Sequence, residues 1–353
     1  MSVTSKTFLR WGLGFLFSVL FIWGVTAVFT TGVSPKVWDA AVGRYVNEPG
    51  SVLRNRKEGW AELAVGLHGL TVAGEDVLKA AGPKFFLWGD SYAEGQQVAA
   101  EERAANVYNR EAAPGAPRGI TVADSGLSMA DFVFYLPRYE ALSDDVVAHV
   151  FLLAGMRSVI PGRHLDCHSR FELDPMRFDY SECPPSGASL EYATLVSSLH
   201  LDFLHGIYKT LAGYDFRFSL GNMTEKQPVV RSAAKPLSDE QLTRAWRFLL
   251  GTLRKETGKR LAFIYVPLKP SLAGGHILRK DGESGRKELF ARTCREFGVD
   301  FIDLTASFDA LYETRGKLAQ GFFNTPQGQG HLNAYGQGLI ADGLRECFAG
   351  AAK

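Results

Sequence analysis

Residues 85–95 read Phe85-Phe86-Leu87-Trp88-Gly89-Asp90-Ser91-Tyr92-Ala93-Glu94-Gly95. The four consecutive apolar residues predict a buried parallel strand, and Gly-Asp-Ser ends it in a tight turn. A helix predicted over Gln96 to Ala105 places Ser91 at a strand-to-helix junction. A nucleophilic hydroxyl is useful there, because it is exposed at the carboxyl edge of a sheet beside main-chain N–H groups. Asp and Ser are also ordinary turn and N-cap residues, so the rest of the chain must support this interpretation.

Strands and helices alternate after this segment, and the helices are well delimited. Ser238 and Gln241 form a capping box for a helix that Gly258 ends, and residues 286–297 form a helix that Gly298 stops. This alternation predicts an α/β fold with a flavodoxin-like, doubly wound parallel sheet covered on both faces. The strand candidates are Lys84–Trp88, Gly119–Ala123, Val146–Leu153, Arg260–Val266 and Val299–Leu304.

An apolar run near the N-terminus predicts a membrane anchor. No charged residue occurs from Trp11 to Pro35, and Lys6 and Arg10 precede the run. The run is long enough to cross a hydrocarbon core, and the preceding charges favour a cytoplasmic N-terminus. A cleaved signal peptide is the alternative, but the apolar region is too long for one and lacks a convincing small-x-small site near residues 26–31.

The predicted organisation has four parts. Residues 1–10 are a cytoplasmic N-terminus, 11–33 the transmembrane anchor, 34–80 a juxtamembrane segment with helical character in Trp60 to Leu67, and 81–353 the main domain. The predicted location is the inner (cytoplasmic) membrane, with one span and a periplasmic or otherwise extracytoplasmic C-terminal domain. Lys plus Arg (39) nearly balance Asp plus Glu (38), so no nucleic-acid partner is expected.

Residues 160–236 interrupt the alternation and are interpreted as an insertion over the carboxyl edge of the sheet. In an oxidising compartment, Cys167 and Cys183 in this insertion predict a disulfide. A metal site there would match no common zinc spacing, and none is expected. Cys294 and Cys347 fall in predicted helices, where they either pair or remain buried thiols.

A second chemical cluster lies near the C-terminus, where Gly330-His331-Leu332-Asn333-Ala334-Tyr335-Gly336-Gln337 precedes a helical segment. In a doubly wound sheet the last loop meets the first at one edge, so His331 can act as a base for Ser91. A surface histidine in the first turn of a helix is the alternative.

These segments resemble, in order, blocks of the SGNH (GDSL-type) hydrolase superfamily over about residues 81 to 348. Residues 89–95 resemble the first block. His331-Leu332-Asn333 with Gly336 resembles the last, in the form seen among exported polysaccharide O-acetylation proteins related to alginate acetylation. Asp124-Ser125-Gly126 resembles the second block, whose glycine N–H helps to form the oxyanion hole. Residues 265–269 are similar to the strand-Pro-x-Lys segment of those exported relatives.

The chain departs from the family pattern in two places. Arg157 stands where the third block, usually Gly-x-Asn-Asp, has its asparagine, and it is expected to assist Gly126 in the oxyanion hole. The family also has an aspartate two or three residues before the histidine, where this chain has Gln329 and Gly328. The chain is therefore expected to lack the carboxylate that orients His331. A backbone carbonyl, or Gln329 through its amide oxygen, can still fix the tautomer of the ring. In serine proteases, neutralising that aspartate lowers turnover roughly 10⁴-fold.

The resemblance implies a membrane-anchored O-acyl esterase or transferase, with acetyl as the acyl group and an extracytoplasmic polysaccharide as acceptor. Ser91 would be the nucleophile and His331 the base, with no cofactor. A transferase would need an acyl donor, such as a membrane-bound O-acyltransferase partner. A catalytically inactive SGNH-like domain that binds glycan, or scaffolds an exopolysaccharide assembly or acetylation complex, is the second hypothesis. An anchored α/β domain with a coincidental Gly-Asp-Ser is the third.

Overall fold

The computed structural model describes residues 3–156, 159, 169–173, 176–180, 187–199, 201, 204, 237–279 and 282–349. In chain order the elements are α1 (Val3–Phe29), β1 (Lys36–Asp39), β2 (Arg44–Asn47), β3 (Val52–Asn55), β4 (Ala61–Ala64), α2 (Val72–Lys79), β5 (Lys84–Gly89), α3 (Ser91–Glu94), α4 (Ala104–Glu111), β6 (Arg118–Ala123), α5 (Met129–Glu140), β7 (Val146–Ala154), β8 (Ser169–Leu173), β9 (Met176–Tyr180), α6 (Gly187–Ser198), α7 (Asp239–Glu256), β10 (Arg260–Val266), β11 (Ser271–Ala273), β12 (His276–Leu278), α8 (Ser284–Glu296), β13 (Asp300–Asp303), α9 (Thr305–Arg315) and α10 (Ala334–Phe348). Short 3₁₀ turns occupy Leu67–Gly69 and Ala100–Glu102.

The central sheet confirms the predicted fold class. Within the described part of the chain, it has five strands in the order β13-β10-β7-β5-β6, and each neighbouring pair is parallel. Renumbered along the chain this is the order 2-1-3-4-5, the flavodoxin-like arrangement. In such a sheet, ligands bind beyond the carboxyl ends of the strands, which is where β5 delivers Ser91.

Both faces of the sheet are buried, as a doubly wound fold requires. Phe86 and Trp88 of β5 pack into the core that α5, α7 and α8 cover. Phe85 and Leu87, which alternate with them, face the core that α4, α9 and α10 cover. The apolar run that predicted this strand is continuous because its two side-chain sets enter different cores.

The segment between the first helix and the sheet differs from its prediction. The helix expected within Trp60 to Leu67 is absent from this described stretch. Instead, β3 and β4 form an antiparallel hairpin. Along β4 the residues are alternately buried and exposed, which is the two-residue period of a strand with one covered face. The antiparallel hairpin of β1 and β2 precedes it.

The N-terminal helix is long and apolar. Its span Lys6–Val25 is, among the described residues, the one helix long and apolar enough to cross a membrane, and none of it is buried against the rest of the protein. An anchor and a signal sequence both fit these properties.

Candidate active site

The turn after β5 sets the position of Ser91. Asp90 is the N-cap of α3, and its Oδ1 accepts a hydrogen bond from the main-chain N–H of Tyr92 at 3.0 Å. Gly95, in the left-handed conformation (φ 59°), ends this helix after one turn. The helix predicted over residues 96–105 is present only at the end of that range: a 3₁₀ turn occupies Ala100–Glu102, and α4 begins at Ala104. Ser91 is still the first helical residue beyond the strand, as the sequence indicated.

The segment before α10 places the His331 side chain next to Ser91. Asn333 caps this helix by accepting hydrogen bonds from the N–H groups of Tyr335 and Gly336, which fixes the direction of the chain just before it. The His331 Nε2 and Ser91 Oγ atoms are 2.9 Å apart. The predicted pair thus lies within hydrogen-bonding distance although 240 residues separate its members.

Tyr92 supports the histidine from the side. Its hydroxyl donates to the main-chain oxygen of Gly330 at 2.8 Å, and its ring centroid is 5.3 Å from that of His331. The main-chain oxygen of His331 also accepts a hydrogen bond from Gly321 at 3.1 Å. These contacts restrict both the ring and the backbone, so the serine and histidine are held in register.

A carboxylate does orient the histidine, contrary to the sequence-based expectation. Glu58 Oε2 lies 2.6 Å from His331 Nδ1, and Glu58 Oε1 accepts a hydrogen bond from the His331 main-chain N–H at 2.5 Å. Because an ionised carboxylate can only accept, the proton belongs on Nδ1, which leaves Nε2 as the acceptor for the Ser91 hydroxyl. Ser91, His331 and Glu58 therefore have the connectivity of a serine hydrolase triad.

Gln329 does not orient the ring. Its Nε2 donates to the main-chain oxygen of Leu272 at 2.8 Å, and Nδ1 of the histidine is already held by Glu58. The expectation for Gln329 was wrong because it assumed a partner from the same loop. The carboxylate comes instead from the other end of the chain.

The loop between β3 and β4 presents Glu58. Asn55 Oδ1 accepts from the Glu58 N–H at 3.2 Å, at the start of the loop. Asn324 then secures Gly59, accepting from its N–H at 2.9 Å and donating to its carbonyl oxygen at 3.1 Å. The loop is thus fastened to the segment that leads into His331.

Gly330 leaves the space that the carboxylate occupies. A Cβ atom at this position would lie 2.0 Å from Glu58 Oε1. Its φ of 80° also falls in the left-handed region that favours glycine. Both the lack of space for a Cβ atom and the positive φ therefore favour glycine at position 330.

The charge of Glu58 is maintained in this environment. Partial burial acts to raise the pKa of its carboxyl group, but the hydrogen bonds from the His331 ring and main chain outweigh that effect. The pKa of Glu58 consequently lies below its ordinary value. The side chains of His331 and Glu58 are 28% and 17% exposed, so both are largely shielded from solvent without being fully buried.

The predicted oxyanion residues have different outcomes. Gly126 (φ 95°) follows β6, and in the register of the sheet Ala123 of β6 pairs with Gly89 of β5. Gly126 and Ser91 therefore leave neighbouring strands at the same edge. Arg157 lies outside the described residues.

Two of the four cysteines lie among the described residues. Cys167 and Cys183, like most of the insertion, lie outside the described residues. Cys294 and Cys347 are buried free thiols, and burial raises the pKa of Cys347 to about 11. Among the described residues no group of three or more His, Cys, Asp or Glu side chains could hold a metal ion.

Glu58 is the functional residue that sequence reasoning missed. Its surroundings, Asn55-Arg56-Lys57-Glu58-Gly59, are a polar turn with no catalytic motif. The available signal was the alternation of β4, which would have indicated a hairpin with Glu58 in its loop. Even so, nothing local shows that this loop reaches His331.

No family model matches the chain, and no curated protein matches it in sequence. Solved structures do resemble it. Phospholipase A1 from Streptomyces albidoflavus aligns with a TM-score of 0.39 and 12% identity, covering 75% of this chain and 99% of that one. An acetyl xylan esterase gives a TM-score of 0.39 and 12% identity over 75% and 98%. An extracellular lipase from Streptomyces rimosus gives 0.36 and 12% over 74% and 99%.

Proposed function

We propose that this protein is a membrane-anchored, SGNH-like serine O-acyl esterase or transferase that uses Ser91, His331 and Glu58. The observation that carries the proposal is the hydrogen-bonded chain from Glu58 through His331 to Ser91, with distances of 2.6 and 2.9 Å. A nucleophile, a base and a residue that orients the base are together the minimum set for covalent acyl transfer.

The proposed first half-reaction forms an acyl-enzyme. Ser91 Oγ attacks the ester carbonyl carbon, its proton passes to His331 Nε2, and an oxyanion forms. Glu58 stabilises the resulting imidazolium. When the oxyanion collapses, the ester C–O bond breaks, and His331 returns the proton to the leaving alkoxide oxygen.

The second half-reaction reverses these roles. His331 takes a proton from water in an esterase, or from a sugar hydroxyl in a transferase, and that oxygen attacks the acyl carbon. The bond to Ser91 Oγ breaks, and the serine regains its proton from His331. The main-chain N–H groups of Ser91 and Gly126, with Arg157, are proposed to stabilise the oxyanion in both halves.

The proposed acyl group is acetyl, and the proposed acceptor is an extracytoplasmic polysaccharide. Both rest on the resemblance of residues 89–95 and 331–336 to exported polysaccharide O-acetylation proteins. A membrane-bound O-acyltransferase is the proposed donor partner for a transferase. The inactive-scaffold hypothesis rests on two departures from the family pattern, Arg157 and the missing aspartate. Glu58 places a carboxylate 2.6 Å from His331 Nδ1, so the second departure no longer supports it.

The test is hydrolysis of a small chromogenic acetyl ester, together with labelling by a serine-directed fluorophosphonate. We expect the wild type to do both and Ser91→Ala to do neither. The substitution should change stability by less than about 0.5 kcal/mol, because a partly exposed turn serine contributes little packing. A folded wild type that neither reacts with the phosphonate nor hydrolyses the ester would favour the glycan-binding or scaffold hypothesis.

A further inference from the structure

The end of α1 is fastened to the loop that carries Glu58. Thr31 Oγ1 accepts hydrogen bonds from the N–H groups of Arg56 and Lys57, at 3.0 and 3.1 Å. Arg56 Nε donates in turn to the main-chain oxygen of Val28 at 2.9 Å. Lys57 directly precedes Glu58, so the helix and the Ser91–His331–Glu58 group are joined by a short series of contacts.

Those contacts limit the distance between the site and the end of the apolar helix. From the Thr31 hydroxyl, the path runs through Lys57, Glu58 and His331 to Ser91. Its three hydrogen bonds and intervening covalent bonds place Ser91 Oγ at most roughly 20 Å from Thr31. If α1 crosses the bilayer, the serine therefore lies within roughly 20 Å of Thr31, which follows the end of that helix.

The surroundings of the helix end are suited to a membrane interface. Trp60 packs edge-on against Phe29, with ring centroids 5.4 Å apart, and the Arg56 guanidinium lies 4.2 Å from the centroid of the Trp60 ring. Aromatic side chains with a polar tip are enriched at the headgroup level of membranes. This cluster therefore places the headgroup level beside the β3–β4 loop.

A second apolar surface lies next to the same helix. Tyr192, Leu195 and Leu199 follow one another at spacings of three and four residues, so they share a face of α6 and its last turn. More than half of Leu195 and of Leu199 is exposed (53% and 51%). The Trp23 indole of α1 donates to the main-chain oxygen of Leu199 at 3.0 Å. Because Trp23 lies inside the apolar span, this contact sets the leucine face at the depth of the span.

We propose that the end of α1 and the Tyr192–Leu199 face form one surface that rests on the outer leaflet of the bilayer, and that the site takes its acyl group from an ester embedded in that leaflet. The proposal rests on the acyl-transfer function proposed above, and it makes an ester embedded in the leaflet, rather than the membrane-bound O-acyltransferase itself, the immediate acyl donor. The bilayer is the occupant that fits the α6 face, since that face is next to α1, whose apolar span Lys6–Val25 is not buried against the protein.

The first experiment compares two acetyl esters of one fluorogenic phenol, one with a hexadecyl chain and one without. Full-length protein is reconstituted in phosphatidylcholine vesicles, and kcat/KM is measured for both esters. We expect the double variant Leu195→Glu/Leu199→Glu to lose at least 10-fold on the lipid-anchored ester while keeping the soluble one within 2-fold. Val147→Glu is the matched control, because Val147 is also exposed (41%) but lies on β7 near its amino end. If the double variant keeps the wild-type ratio of kcat/KM between the lipid-anchored and the soluble ester, the proposal is overturned.

The second experiment does not depend on activity. Leu199→Cys and Val147→Cys are treated with a membrane-impermeant maleimide, in detergent and in vesicles, with the parent chain as background. We expect Cys at 199 to be protected in vesicles and Cys at 147 to react equally in both. If Cys at 199, like Cys at 147, is labelled equally in vesicles and in detergent, this face does not contact the membrane. If neither ester reacts faster than with Ser91→Ala, the acyl-transfer function fails, and labelling still decides the location.

Discussion

Glu58 and His331 are 273 positions apart in the chain, yet the carboxylate binds the imidazole through both the ring and the main chain. The two-point contact fixes the position of the ring as well as its tautomer. A side chain that only neutralised charge would not need the second hydrogen bond. We therefore propose that Glu58 orients His331.

Glu58→Gln tests this assignment. The amide can still accept a hydrogen bond, but it cannot balance the imidazolium charge that forms during attack. By analogy with the serine-protease example, kcat/KM on an acetyl ester should fall by about 10³ to 10⁴. The control is Glu62→Gln, which removes the same charge from the same hairpin at a side chain that is 56% exposed. Loss of less than 10-fold in Glu58→Gln, with the fold retained, would show that Glu58 is not part of the mechanism.

Gly330→Ala tests the space around the carboxylate. The new methyl group would collide with Glu58 Oε1 and would force a strained positive φ. We expect activity to fall at least 100-fold and the free energy of unfolding to drop by roughly 1–3 kcal/mol. The matched control is Gly338→Ala on α10, where nothing lies within 4 Å of the added atom. There the substitution should raise stability by about 0.5–1 kcal/mol and leave activity unchanged.

The elements of the site that could be predicted from the sequence are those with a long, regular local pattern. The strand before Ser91 is a continuous apolar run, and the His331 loop leads into a capped helix, so both were recognisable. The β3–β4 hairpin has four-residue strands and a polar turn, and its role depends on contacts with Asn324 and His331 more than 250 positions away. Such long-range docking has no local pattern, which is why the carboxylate was expected to be missing.

Thr31→Val tests whether the end of α1 holds the β3–β4 hairpin in place. The substitution keeps the shape of the side chain but removes the acceptor of the Arg56 N–H and one of the two acceptors of the Lys57 N–H, which also donates to Asn55 Oδ1 at 3.2 Å. Loss of these hydrogen bonds should loosen the loop by about 1–3 kcal/mol and lower kcat at least 10-fold. Hydrogen exchange at the amides of residues 56 and 57 should accelerate. Thr31→Ser retains the hydroxyl and should keep kcat and the exchange rates close to those of the wild type. If Thr31→Ser behaves like Thr31→Val, loss of the hydroxyl is not the cause.

At the scale of the whole molecule, the N-terminal hairpins are joined to the sheet beside a buried acid, Glu94 of α3. Residues of β3, β4 and β6 line a small cavity together with Glu94. Glu94 Oε1 accepts a hydrogen bond from Gln96, and Asp124 lies near enough to affect the titration of Glu94. The ionisation of Glu94 is therefore linked to the docking of the β3–β4 hairpin, which carries Glu58.

The pH dependence of stability should reveal this acid. Burial, and next the charge of Asp124, raise the pKa of Glu94 to about 8, although Lys36 and Arg103 act in the opposite direction. The folded state therefore keeps the Glu94 proton that the unfolded chain loses near pH 4.5, so this group lowers stability as the pH rises from about 4.5 to 8. Glu94→Gln should flatten that decline, raising Tm over the wild type at pH 8.5 and much less at pH 5. Glu101→Gln, which removes an exposed carboxylate, is the control. In thermal unfolding from pH 5 to 8.5 it should leave the dependence of Tm on pH unchanged. A wild-type decline that persists in Glu94→Gln would assign the pH dependence to other groups.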